Sequence, residues 1–269
     1  MKLQHLLSFF ALATSLFADE PPAGFTSLFN GKDLTGWNGE PGRWSVEDGA
    51  ITGTVVPENP LKTNSFLIWQ GGEKENFELR MKVRWPKWDL SKGMRNSGIQ
   101  IRSVVLPAVH PWSVGGYQFD LSPSGELDAS FYEERSQRPL GVAKGDRVVI
   151  QPDGERWRVA TIMENTELNA LRKPETEWSE CGIVVVGNHV TYTMNGKTVM
   201  ELTDHDERYR RLRGIIALQI HIGGAMKVQF KDLWFKERPA GGIEAPLAKV
   251  PSDAVNAGAE SLRSSAANL

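Results

Sequence analysis

The chain has 269 residues, 40% of them hydrophobic, and a formal net charge of −2 at pH 7. This length fits one large β domain or two small ones. The charge gives no polycationic surface of the kind that nucleic-acid-binding proteins carry, so we expect no nucleic-acid partner. Nine Trp and eleven Phe residues are enough for a packed core, and Trp also suits sugar-binding surfaces.

The first eighteen residues have the pattern of a secretory signal peptide. One lysine precedes an apolar run over residues 6–17, and Ala18 is followed by the acidic Asp19. The run is too short to span a membrane, and no stop-transfer pattern follows it. We expect cleavage after Ala18, export to a bacterial periplasm or medium, and no transmembrane segment. A buried N-terminal helix is the alternative.

Cys181 is the only cysteine, so an intramolecular disulfide is excluded. An exported chain without a disulfide must depend on its core for stability. We expect Cys181 to be a small residue of that core.

Residues 25–236 consist of short apolar or alternating segments separated by turn residues, with little helical periodicity. The predicted strands are Trp44–Val46, Ala50–Val55, Ser65–Trp69, Phe77–Trp85, Gly98–Val104, Gly116–Leu121, Leu127–Arg135, Arg147–Ile150, Arg158–Ile162, Gly182–Val186, His189–Met194, Lys197–Leu202, Gly214–Ile220 and Lys227–Lys236. Tight turns are predicted at Gly187–Asn188 and Asn195–Gly196, and one short helix at Asn165–Arg172. Many strands without a βαβ order predict an antiparallel sandwich or jelly roll.

The composition changes after Arg238. Residues 239–269 are rich in Ala, Gly, Ser and Pro and contain no aromatic residue. Such a segment buries too little apolar surface to fold alone. We therefore predict a signal peptide over residues 1–18, one β domain over 19–238 and a flexible tail over 239–269, with a short docked helix near 253–263 as an alternative for part of the tail.

Four predicted strands carry polar side chains at alternate positions, which places each pair on one face of its strand. The pairs are Gln100 and Arg102, Gln118 and Asp120, Tyr132 and Glu134, and Gln219 and His221. A solvated sheet face would explain any single pair. Solvated faces, however, usually carry Lys, Glu and Thr, whereas these side chains are directional donors and acceptors with one imidazole. We predict that the four pairs form a site for a polyhydroxylated ligand on a concave sheet face.

Other polar motifs are less informative. The Asp-His-Asp sequence at residues 204–206 could hold a metal ion, but it follows a strand in a polar loop, so we expect a solvated turn. His110 lies in a loop that could border a cleft, and the basic run at 208–213 is expected to be a solvated edge. The sequence contains no motif of a nucleophilic hydrolase, a phosphate-binding loop or a structural zinc site.

Successive blocks of the sequence resemble the 3-keto-disaccharide hydrolase domain family. The blocks run in order over residues 25–236 and include LFNGKDLTGW, NSGIQIRS, GGYQFDL, YEER and LQIHIGGAMKVQFKDL. The resemblance implies an all-β fold, a concanavalin A-like jelly-roll sandwich of two curved antiparallel sheets. It also implies an oligosaccharide or glycoside substrate that is already oxidised to a ketone at C3 of a sugar ring.

A ketone at C3 acidifies the hydrogen at C2, so the group at C1 can leave by β-elimination. Water can then add back, and the net reaction is hydrolysis. This chemistry needs a base near C2, a group that stabilises the enolate and a proton donor for the leaving oxygen. The Glu-x-Asp-x-x-Glu motif of glucanases is absent, which disfavours direct hydrolysis by two carboxylates.

The polar pairs supply a candidate for each of these tasks. The predicted catalytic residues are His221, Glu134, Arg102 and Tyr132, and the predicted substrate-binding residues are Gln100, Gln118, Asp120 and Gln219. His221 is the first candidate for the base because of its reference pKa near 6.5. No cofactor is certain. A divalent metal ion bound by His221 with Glu134 or Asp120 is an alternative that would polarise the ketone.

Two other functions are compatible with the same residues. The chain could be a non-catalytic carbohydrate-binding module or a scaffold domain on the same sandwich. A module would lose sugar affinity when His221 is replaced, an enzyme would lose turnover, and a scaffold would tolerate changes to all four polar pairs.

Overall fold

The structure is a computed structural model that describes residues 19–125, 128–138 and 141–257. The predicted signal peptide over residues 1–18 lies outside these ranges. Within them, no helix combines the length and the apolar character needed to cross a membrane.

The described residues form eighteen strands and one helix. The elements are β1 (Thr26–Ser27), β2 (Trp37–Asn38), β3 (Trp44–Glu47), β4 (Ala50–Val55), β5 (Ser65–Trp69), β6 (Phe77–Arg84), β7 (Ser97–Val105), β8 (Val114–Leu121), β9 (Phe131–Glu134), β10 (Gly141–Val142), β11 (Asp146–Ile150), β12 (Arg156–Thr161), α1 (Asn165–Leu171), β13 (Ser179–Val186), β14 (His189–Met194), β15 (Lys197–Asp204), β16 (Ile215–Ile220), β17 (Met226–Glu237) and β18 (Val255–Asn256). Every predicted strand and the predicted helix are present, with shifts at their ends. Leu127, the predicted first residue of the strand that became β9, lies outside the described residues. The strands that were missed have two residues each, which is too short for an alternating pattern.

The strands form two sheets. The eleven-stranded sheet has the order β18-β12-β11-β15-β14-β13-β6-β17-β4-β3, and β1 pairs with β17 beside it. The seven-stranded sheet has the order β10-β9-β8-β7-β16-β5-β2. Among the described strands, only β11 and β15 pair in parallel. This confirms the predicted all-β, concanavalin A-like jelly-roll sandwich.

An apolar core lies between the sheets because alternate residues of the central strands point inward. Ile99 of β7, Phe119 of β8 and Leu218 of β16 are fully buried in it. Each such side chain contributes about 1.5–3 kcal/mol to folding. Cys181 belongs to the same cluster at 2% exposure, as predicted.

The other face of the seven-stranded sheet, here called the outer face, carries a second, smaller apolar cluster. Its members are Phe66, Ile68, Val114 and Ala217. They alternate along their strands with residues of the main core, such as Leu67 and Leu218. The outer face is therefore partly apolar and partly polar, and the polar part is where the predicted site residues lie.

The first part of the predicted flexible tail lies along the eleven-stranded sheet. The Glu244 backbone N–H donates to Asn188 Oδ1 at 2.9 Å, and Gln151 Nε2 donates to the Leu247 carbonyl at 3.1 Å. Strand β18 then pairs antiparallel with β12. Backbone hydrogen bonds thus hold a segment whose composition offers little apolar surface. Residues 253–256 include a turn and β18, and residue 257 is helical. The rest of the alternative helix, like all of residues 258–269, lies outside the described ranges.

Candidate active site

Strand pairing brings most of the predicted site residues together on the outer face. Gln118 of β8 lies opposite both Gln100 of β7 and Tyr132 of β9. Gln100 in turn lies opposite Ala217 of β16. Directly opposed residues of antiparallel strands have Cβ atoms about 4.5–5.5 Å apart. The residues form one row across four strands.

A directional chain of hydrogen bonds runs along β7 and β8. Ser103 Oγ donates to Gln100 Oε1 at 2.6 Å. Gln100 Nε2 donates to Gln118 Oε1, and Gln118 Nε2 donates to Asp120 Oδ1. Because each amide accepts at oxygen and donates at nitrogen, both glutamines have a defined orientation. The chain ends on the Asp120 carboxylate and fixes its position.

Gly98 leaves space for this series of hydrogen-bonded side chains. It lies opposite Asp120 in the pairing of β7 with β8. A Cβ atom at this position would lie 2.5 Å from Cδ of Gln118, well inside van der Waals contact. The Gln118 side chain therefore leans over Gly98 of β7 to reach Asp120, which lies two residues further along β8.

Asp120 has an unusual electrostatic environment. It is 6% exposed, and burial raises its pKa to about 7. The hydrogen bond from Gln118 opposes this rise, whereas the Glu134 carboxylate adds to it. Near neutral pH the group is therefore divided between its two protonation states, which suits an acid that gives and regains a proton. From the sequence alone, Asp120 is predicted to bind substrate or a metal ion, because burial is not visible in the sequence.

Glu134 of β9 accepts hydrogen bonds from two other elements. Asn64 Nδ2 lies 3.4 Å from both carboxylate oxygens, and Gln219 Nε2 of β16 lies 3.3 Å from Oε2. Burial raises the pKa of Glu134, and the Arg135 guanidinium and the two amides oppose the rise. Glu134 and Gln219 are thus brought together as predicted. Asn64 was missed because it precedes β5 in a segment without an alternating pattern.

Gln219 retains an unused acceptor. Its Oε1 atom is buried and has no hydrogen-bond partner among the described residues. Leaving a buried carbonyl oxygen unpaired costs about 1–3 kcal/mol, and most such groups in proteins are paired. A ligand hydroxyl that reaches this oxygen would satisfy it.

His221 follows the last residue of β16. Its Nδ1–H donates to the Ile222 carbonyl, which leaves Nε2 as the acceptor of a neutral ring. Burial lowers the pKa of His221, and the Ile222 hydrogen bond opposes that shift. The Ile222 N–H donates to Asn64 Oδ1 at 2.9 Å, so Asn64 connects this loop to Glu134. Within the described chain, no hydrogen bond or ion pair joins the His221 ring directly to Glu134.

Tyr132 is the most open of the predicted site residues, at 42% exposure. Burial of part of the side chain raises the pKa of its hydroxyl, and the Glu134 and Asp120 carboxylates add to the rise. The hydroxyl therefore stays protonated at neutral pH. Tyr132 can donate a hydrogen bond to a ligand or stack against it.

Arg102 does not share a face with Gln100, so this part of the prediction is wrong. The pairing of β7 with β8 shifts register between Ile101 and Val104, and Arg102 has a φ of +47° there. A bulge adds one residue to a strand and breaks the alternation that the prediction used. Ser103 takes the position on the outer face and bonds to Gln100.

The Arg102 side chain instead ties loops together away from the site. It is 1% exposed and donates to the backbone carbonyls of Glu75, Gly187 and Arg211 at 2.7 to 3.1 Å. Burial lowers its pKa to about 10, so it remains charged at neutral pH. This geometry supports a structural role for Arg102 in place of the catalytic role that was predicted.

The predicted metal-binding set does not converge. Over residues 19–125, 128–138 and 141–257, no three His, Cys, Asp or Glu side chains form a group that could hold a metal ion. Glu134 is bonded to amides of Asn64 and Gln219, and Asp120 to that of Gln118. These donors do not fit a metal site.

The Asp-His-Asp motif at residues 204–206 is buried rather than solvated. Arg138 forms a bidentate ion pair with Asp204, at 3.1 and 2.6 Å, and its Nε lies 3.0 Å from Glu133. The Tyr117 hydroxyl donates to Asp204 Oδ2 at 2.7 Å. Tyr117 and Glu133 point inward from β8 and β9, directly behind the site. The motif therefore supports the strands that carry the site.

Comparisons with known proteins give the family. The family model described as a 3-keto-alpha-glucoside-1,2-lyase-like domain matches residues 24–236. No curated protein matches the chain.

Solved structures resemble the fold. A proposed glycosyl hydrolase from Parabacteroides distasonis ATCC 8503 has a TM-score of 0.50 and 18% identity, over 80% of this chain and 94% of that protein. A second such protein from the same organism has a TM-score of 0.48 and 17% identity, over 80% and 99%. The carbohydrate-binding module CBM66 from Bacillus subtilis has a TM-score of 0.48 and 11% identity, over 75% and 96%. At these low sequence identities, the solved structures show only that the fold is similar. The family model, in contrast, matches most of the chain. The chain belongs to the family of 3-keto-alpha-glucoside-1,2-lyase-like domains.

Proposed function

We propose that the protein is an exported enzyme that cleaves 3-keto-glycosides, including 3-keto-disaccharides, by β-elimination followed by hydration. Family membership supports the substrate class. The observation that carries the proposal is the pair of carboxyl groups of Asp120 and Glu134. Both have raised pKa values, and both are held by amide side chains on one sheet face.

His221 is the base in this proposal. Its Nε2 atom is the free acceptor of a neutral ring, because Nδ1–H is used on the Ile222 carbonyl. Nε2 takes the proton from C2 of the 3-keto sugar, and the C2–H electrons form the enolate. The lowered pKa of His221 keeps the ring in its basic form at neutral pH.

Negative charge develops on the C3 oxygen as the enolate forms. Hydrogen-bond donors that are already in position stabilise this charge. Gln219 Nε2 uses one N–H on Glu134 and has a second N–H to offer, whereas Asn64 Nδ2 contacts both Glu134 oxygens. Glu134 therefore acts as a positioning residue that aims both amides. The free Gln219 Oε1 accepts from a sugar hydroxyl.

The leaving oxygen needs a proton when the C1–O bond breaks. Asp120 supplies it from its protonated form, which is populated near neutral pH because its pKa is about 7. Elimination leaves a double bond between C1 and C2. Water then adds its hydroxyl at C1 and a proton at C2, which gives the free 3-keto sugar and regenerates the protonation states of both groups.

The direct test is release of free 3-keto-glucose from 3-keto-trehalose and from 3-keto-glucosides, with and without EDTA. His221→Ala and Asp120→Asn are each expected to lower kcat by about 10²- to 10⁴-fold, the usual contribution of a general acid or base. Glu207→Gln is the matched control, because Glu207 is a surface carboxylate paired only with Arg210. No release from any of these substrates by the wild-type protein would contradict the proposal.

A carbohydrate-binding module is the second candidate function. The observation that favours it is that Gln100 Nε2 donates to Gln118 Oε1 and Gln118 Nε2 donates to Asp120, so these polar side chains are held in fixed orientations. Sugar binding without turnover, and only a mild loss of affinity in His221→Ala, would support this function. A scaffold would tolerate both His221→Ala and Asp120→Asn without a change in either measurement.

A further inference from the structure

The segment that follows the predicted cleavage site is bound to the eleven-stranded sheet from its first residue. The Asp19 N–H donates to Asp232 Oδ1 at 3.3 Å, and the Asp19 carboxylate accepts from Lys82 Nζ at 2.7 Å. Further along, the Arg80 guanidinium lies over the Phe25 ring at 4.6 Å. Strand β1 then pairs with β17. Residue 19 is therefore an anchored position, with a second anchor at residues 25–27.

Asp232 is the buried partner of this anchor. Its side chain is 0% exposed. It has a φ of +53°, and it lies where the pairing of β17 with β6 shifts register. Lys82 Nζ lies 2.8 Å from Oδ2, and Lys231 Nζ lies 4.0 Å from the same oxygen. Both lysines approach Oδ2, so Oδ1 faces the Asp19 nitrogen.

A neutral backbone N–H at 3.3 Å is a weak partner for an oxygen of a buried carboxylate. Asp19, Asp232 and Lys82 form the inner cluster, which has two negative charges and one positive charge. Lys231 Nζ lies 4.0 Å from Asp232 Oδ2, which is the outer limit for an ion pair. It also lies 4.8 Å from the centre of the Trp178 ring. A positive charge on the Asp19 nitrogen would neutralise the inner cluster and strengthen the bond to Oδ1, because charge-assisted hydrogen bonds are about twice as strong as neutral ones.

We infer that Asp19 is the first residue of the mature protein and that Asp232 is the binding site for its α-ammonium group. Hydrolysis of the Ala18–Asp19 peptide bond adds water, so Ala18 gains a carboxylate and Asp19 gains an amine. An α-amine has a reference pKa of about 7.7–8.0 and is therefore mostly protonated at pH 7. Cleavage would thus convert a single N–H donor into a cation with three donors at the position that Asp232 faces.

The first test is the mass of the protein after export by a bacterial host that expresses the full chain. The expected mass is that of residues 19–269. A mature chain that begins at any other residue would overturn the inference.

The second test asks whether the ammonium group stabilises the fold through Asp232. The exported protein is acetylated at its α-amine in mildly acidic buffer, where lysines remain protonated, and unfolded in urea. Acetylation removes the charge but leaves one N–H donor, so we expect the unfolding equilibrium constant to rise about five- to tenfold, the difference between a charge-assisted and a neutral hydrogen bond. In Asp232→Asn the same acetylation should have no effect. In the control Glu20→Gln, which changes the adjacent exposed carboxylate, the full effect should remain.

An equal effect of acetylation in the wild type and in Asp232→Asn would overturn the inference. A third measurement needs no substitution, in case Asp232→Asn does not fold. The α-amine of the folded protein should react with the acetylating reagent several-fold more slowly than that of the urea-unfolded protein, and equal rates would exclude a bound ammonium group.

Discussion

The burial that raises the pKa of Asp120, and so suits it to the proposed role of acid, also makes this residue unfavourable for stability. Its pKa is about 7 in the folded protein against 3.8 in an unfolded chain. The folded state therefore holds one more proton than the unfolded state between these values. Stability linked to this group falls as pH rises from about 4 to about 7 and stays low above that range.

Replacement of this carboxyl group should remove the unfavourable contribution. We expect Asp120→Asn to raise the free energy of unfolding at pH 8 by on the order of 1–4 kcal/mol, since each pKa unit corresponds to about 1.4 kcal/mol. Near pH 4 the difference should fall to well under about 1 kcal/mol, because the wild-type group is then protonated in the folded state and about half protonated in the unfolded chain. Urea unfolding at both pH values measures this. The same shift at both values would mean that titration of Asp120 is not its cause.

The same residue should shape the pH dependence of turnover. The proposed reaction needs neutral His221, whose pKa is lowered, and protonated Asp120, whose pKa is about 7. We therefore expect kcat/KM to rise with pH below the ordinary His range and to fall as pH passes about 7. In Asp120→Asn the fall near pH 7 should be lost together with most of the activity. A wild-type profile that is still rising at pH 8 would argue against Asp120 as the acid.

At the scale of elements, the alternating pattern predicted the strands and most of the site, because a half-buried sheet enforces a period of two. It failed at Arg102, where a bulge in β7 breaks that period. It also could not find Asn64, which comes from an irregular segment, or the raised pKa of Asp120, which depends on burial by residues distant in the chain. Local pattern sets the face of a side chain, whereas tertiary packing sets its pKa and its partners.

The path of the Gln118 side chain over β7 offers a test that depends on one methyl group. A Cβ at Gly98 would lie 2.5 Å from Gln118 Cδ, whereas a Cβ at Gly141 of β10 would meet no atom nearer than 3.9 Å. We expect Gly98→Ala to displace Gln118 from Asp120 and to lower kcat/KM at least about tenfold, since small misplacements of catalytic groups are costly. Gly141→Ala should have little effect. Equal kinetics in both variants would show that the hydrogen-bond chain is dispensable.

At the scale of the whole molecule, the two sheets carry different features. The seven-stranded sheet carries the candidate site on its outer face, and the eleven-stranded sheet binds both the segment that begins at Asp19 and residues 241–256. Removal of residues 239–269 should therefore lower the free energy of unfolding by on the order of 1–3 kcal/mol, through loss of hydrogen bonds worth about 1 kcal/mol each. The kcat of the folded fraction should not change. A lower kcat for a truncated protein that is fully folded would mean that residues 239–269 take part in the reaction.

Strand β18 has a further consequence for how copies of the protein behave toward one another. It lies beside β12 at the end of the eleven-stranded sheet, where the chain would otherwise present unpaired N–H and C=O groups. Bare sheet margins of this kind invite strands from neighbouring molecules. Val255 and Asn256 pair with two residues of this margin, Arg158 and Trp157. We therefore expect a chain that lacks β18 to sediment as progressively larger species as its concentration is raised.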